Sequence, residues 1–167
     1  MAGIDDLTQA ERALFHSLPK PPLHGGVATN NVWIIEWLYA GNRKTVRELR
    51  DWMETLRPGW SHYISCYSGA EVIDGICQAT EFCLRHERVP VLHIEAHGCK
   101  TNLEGPNRRG GKDILGRENL TPPLQDLNLA TRCNLLVFFA ACTGFAGIQA
   151  LTKGPRAPAV CMVGFDA

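Results

Sequence analysis

Residues 134–144 read NLLVFFAACTG, an apolar run rich in β-branched and aromatic side chains that stops at Cys142 and a Thr-Gly turn. Residues 91–98, VLHIEAHG, have the same form and stop at His97 and Gly98. Runs of this length bounded by turn residues predict strands buried on both faces, the kind a parallel sheet requires. Working outward, Val32 to Leu38, Ser61 to Tyr67 and Ala159 to Phe165 read as three more strands. Helical patterns separate them. Lys44 to Leu56 places Val46, Leu49, Trp52, Met53 and Leu56 on one face, and Pro58-Gly59 ends it. Ala70 to His86 places Val72, Ile73, Ile76, Ala79, Phe82 and Cys83 on one face. A short helix is expected over Pro123 to Leu129 and another over Thr143 to Leu151.

Strands alternating with helices predict an α/β fold, a three-layer sandwich around a mostly parallel sheet. Residues 1–30 read as a peripheral helix, DDLTQAERALFHSL, and a Pro/Gly-rich lead, and residues 31–167 as one domain. The last expected strand lies close to Ala167, so the sheet is expected to lack its last strand or strands within this chain, with another segment completing it. Cys99 to Glu118, rich in Gly, Asn, Lys and Arg, reads as a long loop.

Lys plus Arg and Asp plus Glu both total 17, which argues against a domain that binds nucleic acid by neutralising phosphates. No apolar run approaches the roughly 20 residues of a membrane span, and the acidic start MAGIDDLTQ lacks the apolar core of a signal peptide. A cytoplasmic protein that does not engage a membrane is expected. The seven cysteines, an odd number with no CxxC pair, argue against a disulfide framework and against the commonest zinc arrangements. Most are expected to be small core residues.

Parallel sheets bind ligands at the carboxyl ends of their strands. His97 and Cys142 both stand there. A thiol needs a nearby base to attack a carbonyl as thiolate, and imidazole can take that proton and return it to a leaving amine. The N–H groups of Gly98 and Cys142 are candidates for an oxyanion site. No metal or other cofactor is needed for this chemistry.

The order of elements, with His-Gly after the third strand and Ala-Cys after the fourth, resembles the caspase-like cysteine peptidases, whose members include caspases, metacaspases, separase, gingipains, legumain and the CHAT peptidases. The histidine stands 45 residues before the cysteine here, against about 50 in the caspase pattern. HIEAHG and FFAACTG look most like the CHAT and separase branch, and the resemblance covers residues 31–165. It implies a caspase-like sheet and a cysteine endopeptidase working through a thioester acyl-enzyme, with His97 and Cys142 as the dyad. It also implies a protein or peptide substrate and a larger regulated protein, such as one of bacterial defence. A C-terminal regulatory domain or second fragment would then complete the fold. Separately, the Gly-rich, charged composition of Cys99–Glu118 suggests a loop that an activating partner orders. Caspases carry Gln-Ala-Cys where this chain has Ala140-Ala141-Cys142, so cleavage after aspartate is not implied. Arg43, after the first strand, occupies the place of a substrate-binding arginine in caspases.

Other readings compete at these positions. His93 reads as a core histidine. Glu95 either orients His97 or is a strand acid beside a helix, and Cys99 is the rival thiol. Arg108, Arg109 and Asp113 read as a solvated loop. His93-Ile94-Glu95 matches the H-x-E of zinc deaminases, but their Pro-Cys-x-x-Cys is absent. A zinc site from His97, Cys99 and Cys142 is the remaining metal arrangement. A dinucleotide fingerprint is missing after the first strand. The alternative to an enzyme is a catalytically inactive scaffold that keeps the fold for interactions.

Overall fold

Strand β1 (Asn31–Trp37) lies inside the sheet with a neighbour on each side, as five apolar residues out of seven favour. The computed structural model describes residues 29–42, 45–142, 144, 148, 151 and 157–164. After β1 come α1 (Thr45–Leu56), β2 (Ser61–Ser65), α2 (Gly69–His86) and β3 (Pro90–Gly98). A hairpin, β4 (Asn102–Pro106) and β5 (Lys112–Gly116), leads through a 3-10 turn (Arg117–Leu120) into α3 (Thr121–Ala130). Strands β6 (Leu136–Ala140) and β7 (Cys161–Gly164) follow, with helical residues Gly144, Ile148 and Leu151 between them.

Five strands run parallel in the order β2-β1-β3-β6-β7, and the antiparallel hairpin is built onto the end of β3. The protein is therefore an α/β fold with a mostly parallel sheet, compatible with a three-layer sandwich. Register aligns Ser65, Glu36, Glu95 and Ala140 in one row near the carboxyl ends of the four strands. Because side chains alternate across a strand, Trp33, Ile35, Trp37, Leu92, Ile94, Val137 and Phe139 share one face. All belong to the core that holds Val72, Ile76 and Ala79 of α2 and Leu124 and Leu127 of α3. Each large side chain so buried contributes about 1.5–3 kcal/mol.

The other face carries Ile34, Glu36, His93 and Glu95 and is overlaid by the start of α1. The Thr45 hydroxyl donates to Glu95 Oε1, and Val46 N–H donates to Oε2 at 3.4 Å. Arg47 pairs with the buried Glu36 carboxylate at 3.3 Å. Only Val46 of the expected apolar face of α1 is buried; Trp52 and Leu56 are 60% and 61% exposed. The helix is held by its polar side chains, with Arg50 over the Tyr63 ring at 4.9 Å and Glu54 accepting from the Ser61 hydroxyl at 2.6 Å, rather than by an apolar face.

The Cys99–Glu118 loop expected from composition is instead a hairpin and a 3-10 turn. Two of its charged residues are tied to α2. Asp113 accepts from Gly69 N–H at 2.9 Å, and Arg108 pairs with Glu71 at 2.7 Å while its guanidinium lies 5.4 Å from the Tyr67 ring. Composition read as a loop because the inner side of this ladder carries Gly105 and Asp113 beside Leu103 and Leu115, which leaves no apolar alternation. The expectation that most cysteines are core residues holds for Cys66 and Cys83; Cys77, Cys99, Cys133, Cys142 and Cys161 are exposed. The N-terminal helix and lead and Arg43 lie outside the described residues, as does Phe165 at the end of the last expected strand. Among the described residues no helix is long and apolar enough to cross a membrane.

His93 lies on the α1 face, stacked on Phe138 with ring centroids 6.4 Å apart, and its buried Nε2 has no hydrogen-bond partner. Burial pushes its pKa down, so the fold binds fewer protons than the unfolded chain just below pH 6.5. Stability is thus expected to fall as pH drops from about 6.5 toward the depressed folded value, by up to about 1.4 kcal/mol per pH unit for one such group. His62, also pushed down by burial, adds a slope of the same sign. His93→Phe keeps the stacked ring without the proton. The fall in urea midpoint between pH 7.5 and 5.5 should shrink in this variant; an unchanged fall would remove His93 from the acid response.

Candidate functional site

Strand order decides where a site can form. The chain leaves β1 toward β2 on one side and returns to β3 on the other, so a crevice opens beyond the carboxyl ends of β1 and β3. Asn42, in the turn after β1, and His97, at the end of β3, meet there. Asn42 Oδ1 lies 3.0 Å from His97 Nε2. With Asn42 Oδ1 as the acceptor, the contact fits the Nε2–H tautomer, which makes Nδ1 the basic nitrogen. Tyr39 lies against the same imidazole, ring centroids 5.9 Å apart. Asn42 in turn precedes the α1 start that Glu95 anchors through Thr45 and Val46. Glu95 is therefore a strand acid holding a helix N-terminus, where negative charge is favoured, and two residues of β3 organise both ends of the turn that reaches His97.

Cys142 begins the turn after β6 and is exposed. The β3–β6 ladder ends at Glu95 opposite Ala140. His97 and Cys142 each stand two residues beyond that pair, at the carboxyl ends of adjacent parallel strands. The two stretches touch beside Gly98, where an added Cβ would lie 3.4 Å from Ala141 Cβ, 3.2 Å from Asn102 O and 2.9 Å from Arg117 Nη2. A side chain at this position would press on all three neighbours, so glycine suits the close approach. Cys99 N–H donates to Asn102 O at 2.9 Å, closing the hairpin with a two-residue turn. Antiparallel pairs alternate, so Gly98 opposite Leu103 is a non-hydrogen-bonded pair and its N–H points away from β4. That donor is not consumed by the hairpin.

The cysteines differ in chemistry. Burial pushes the Cys66 thiol up to about 12 and the Cys83 thiol to about 11, with Cys83 Sγ also donating to Ala130 O at 3.3 Å. Neither is a nucleophile at neutral pH. Cys99 is exposed, and its thiol is held below the ordinary range by the backbone N–H of Thr101, then by the Thr101 hydroxyl, then by the backbone of Asn102. It is the rival to Cys142 on thiolate character, and it lies in the hairpin turn rather than at the end of a parallel strand. Among the described residues no three His, Cys, Asp or Glu side chains converge as a metal ion would need.

Two residues of this site escaped sequence reasoning. Asn42 sits in a generic Gly-Asn turn, and only its place at the sheet's switch point marks it. Arg117 has no local pattern at all: it is fully buried, with Nε donating to Cys99 O at 3.0 Å and Nη2 to Cys142 O at 3.4 Å. No family model and no curated protein matches this chain.

Proposed function

We propose that this chain is the catalytic domain of a cysteine peptidase of caspase-like architecture, nearest the CHAT and separase type, with Cys142 as nucleophile and His97 as base. The observation that carries the reading is the Asn42–His97 hydrogen bond at the sheet's crevice. It leaves Nδ1 of a strand-end imidazole free to take a proton, one strand away from an exposed thiol. A bare structural histidine would not need its tautomer held at the one place where the topology opens a binding crevice.

In the proposed reaction His97 Nδ1 takes the Cys142 proton, and the thiolate sulfur bonds to the scissile carbonyl carbon. The N–H groups of Gly98 and Cys142 receive the oxyanion. As the tetrahedral intermediate collapses, the C–N bond breaks and imidazolium returns the proton to the leaving amine. Water, deprotonated by the same imidazole, then attacks the thioester and releases the carboxylate and the thiol. Asn42 keeps the ring oriented through both proton transfers, as the third member does in other nucleophile–base pairs. The substrate in this reading is a protein or peptide, and the domain works in the cytoplasm within a larger regulated protein, whose regulatory module or second fragment lies C-terminal to it.

The test uses the purified chain, a denatured protein pool and a peptidyl acyloxymethyl ketone that alkylates activated thiols. New peptide termini and a single adduct on Cys142, mapped by mass spectrometry, are expected. An adduct on Cys99 with cleavage retained would move the nucleophile. Neither cleavage nor adduct would replace the enzyme with an inactive scaffold.

A further inference from the structure

The fully buried arginine between the two strand ends has no part in the proton transfers above. Arg117 opens the 3-10 turn after β5, and its backbone N–H donates to Thr101 O at 2.9 Å, which fixes its Cα against the β3–β4 turn. From there the guanidinium reaches two peptide carbonyls that are 43 residues apart in sequence: Cys99 O, just past His97 and Gly98, and Cys142 O, at the candidate nucleophile. Its Nη2 also lies 2.9 Å from where a Gly98 Cβ would sit, so the Gly98 backbone runs directly alongside it. Burying a guanidinium is costly unless it is hydrogen-bonded. An apolar side chain of similar length would fill the same space without that cost. What it could not do is bond both carbonyls at once, which the planar fork of five N–H donors does in a fixed geometry. Rules of burial are most often broken where function demands it.

We infer that Arg117 is a positioning residue of this site, a buried staple that holds the His97–Cys99 turn and the Cys142 turn at a fixed separation. The inference rests on the peptidase reading. By holding the carbonyls of Cys99 and Cys142, the guanidinium restricts the backbone torsions on either side, and so the direction of the Gly98 and Cys142 N–H groups. Its role is positional: it acts through the backbone of the two turns. Its effect is on the transition state, because oxyanion donors matter when charge develops on the carbonyl oxygen and little when substrate first binds.

Arg117→Met and Arg117→Lys, measured in the full chain, separate this role from general stabilisation. With peptide substrate, Arg117→Met is expected to lower kcat by about 10²-fold, the cost of misplacing a catalytic group by about 1 Å, with KM changed less than twofold. Arg117→Lys keeps the charge and can reach only one carbonyl, so its kcat should fall between the two. Amide exchange supplies a readout independent of activity: residues 98–102 and 141–144 should exchange faster together in both variants, while α2 does not change. A folded Arg117→Met with wild-type kcat would overturn the inference, as would exchange that changes in only one of the two turns. Should Arg117→Met fail to fold, the same two criteria apply to Arg117→Lys. Coupled loosening of both turns in the variants, in a protein whose wild-type form neither cleaves nor labels, would retain the staple and reject the peptidase reading.

Discussion

Cys142→Ala and His97→Ala are each expected to reduce peptide hydrolysis on the order of 10⁴-fold or more, the loss seen when one member of a nucleophile–base pair is removed. Combining them should cost little more than either alone, because the two act as one unit. The fold should hardly respond to the cysteine exchange: Cys142 is exposed in a turn, and such substitutions usually stay within about 0.5 kcal/mol. Asn42→Ala belongs to the same series with a smaller effect, since it removes the partner at 3.0 Å that fixes the tautomer but leaves the imidazole in place. The measurement is kcat/KM on a peptide taken from the mapped cleavage sites, with circular dichroism as the fold control. Additive losses from Cys142→Ala and His97→Ala would dissolve the pair into two unrelated residues. Full activity in Cys142→Ala would hand the nucleophile's role to Cys99.

Gly105→Ala is expected to be the most damaging single-methyl change in the described fold. An added Cβ would lie 2.5 Å from Cγ, Cδ1 and Nε1 of Trp37. That ring is fully buried and anchored by its N–H to Pro106 O at 3.0 Å, so it cannot swing aside. Overpacking of this kind costs about 1–3 kcal/mol. Trp37→Ala alone should cost about 3–5 kcal/mol, the usual range for a core aromatic. In the double variant the methyl finds room, so the combined loss should be clearly less than the sum. Urea unfolding of the four proteins measures this; additive losses would show that Trp37 and Gly105 do not share the clash. The consequence reaches the site as well, since β4 and β5 deliver Arg117 to the two strand ends.

The parallel strands were legible in the amino-acid order because covered strands carry long apolar stretches: all of β6, Val32 to Ile35 in β1, and Leu92, Ile94 and Ala96 along one side of β3. Helix α2 was legible for a related reason: Val72, Ile76, Ala79 and Cys83 recur at helical spacing, and Ser68 caps the start by accepting from Glu71 N–H at 3.1 Å. The placement of His97 and Cys142 at strand carboxyl ends followed from where those runs stop. The hairpin β4–β5 was not legible. Its strands are five residues each with a mixed burial pattern, and what stabilises them is long-range: Asp113 on the start of α2 and Gly105 against Trp37. Likewise Trp52 and Leu56 share the apolar face expected of α1 and are exposed, because periodicity reports which face is apolar, not whether anything packs on it.

The sequence by itself thus determined the class of fold, the direction of its principal strands and the end of the sheet at which polar side chains gather. These follow from burial and periodicity, which are local properties of the chain. Which polar side chains meet there was decided only by tertiary structure. Asn42 reaches His97 across 55 positions because β1 and β3 are neighbours. Arg117 bridges Cys99 and Cys142 because the hairpin folds back over the strand ends. Hydrogen bonds between residues far apart in sequence depend on strand order and register, and those are set by the packing of the whole sheet.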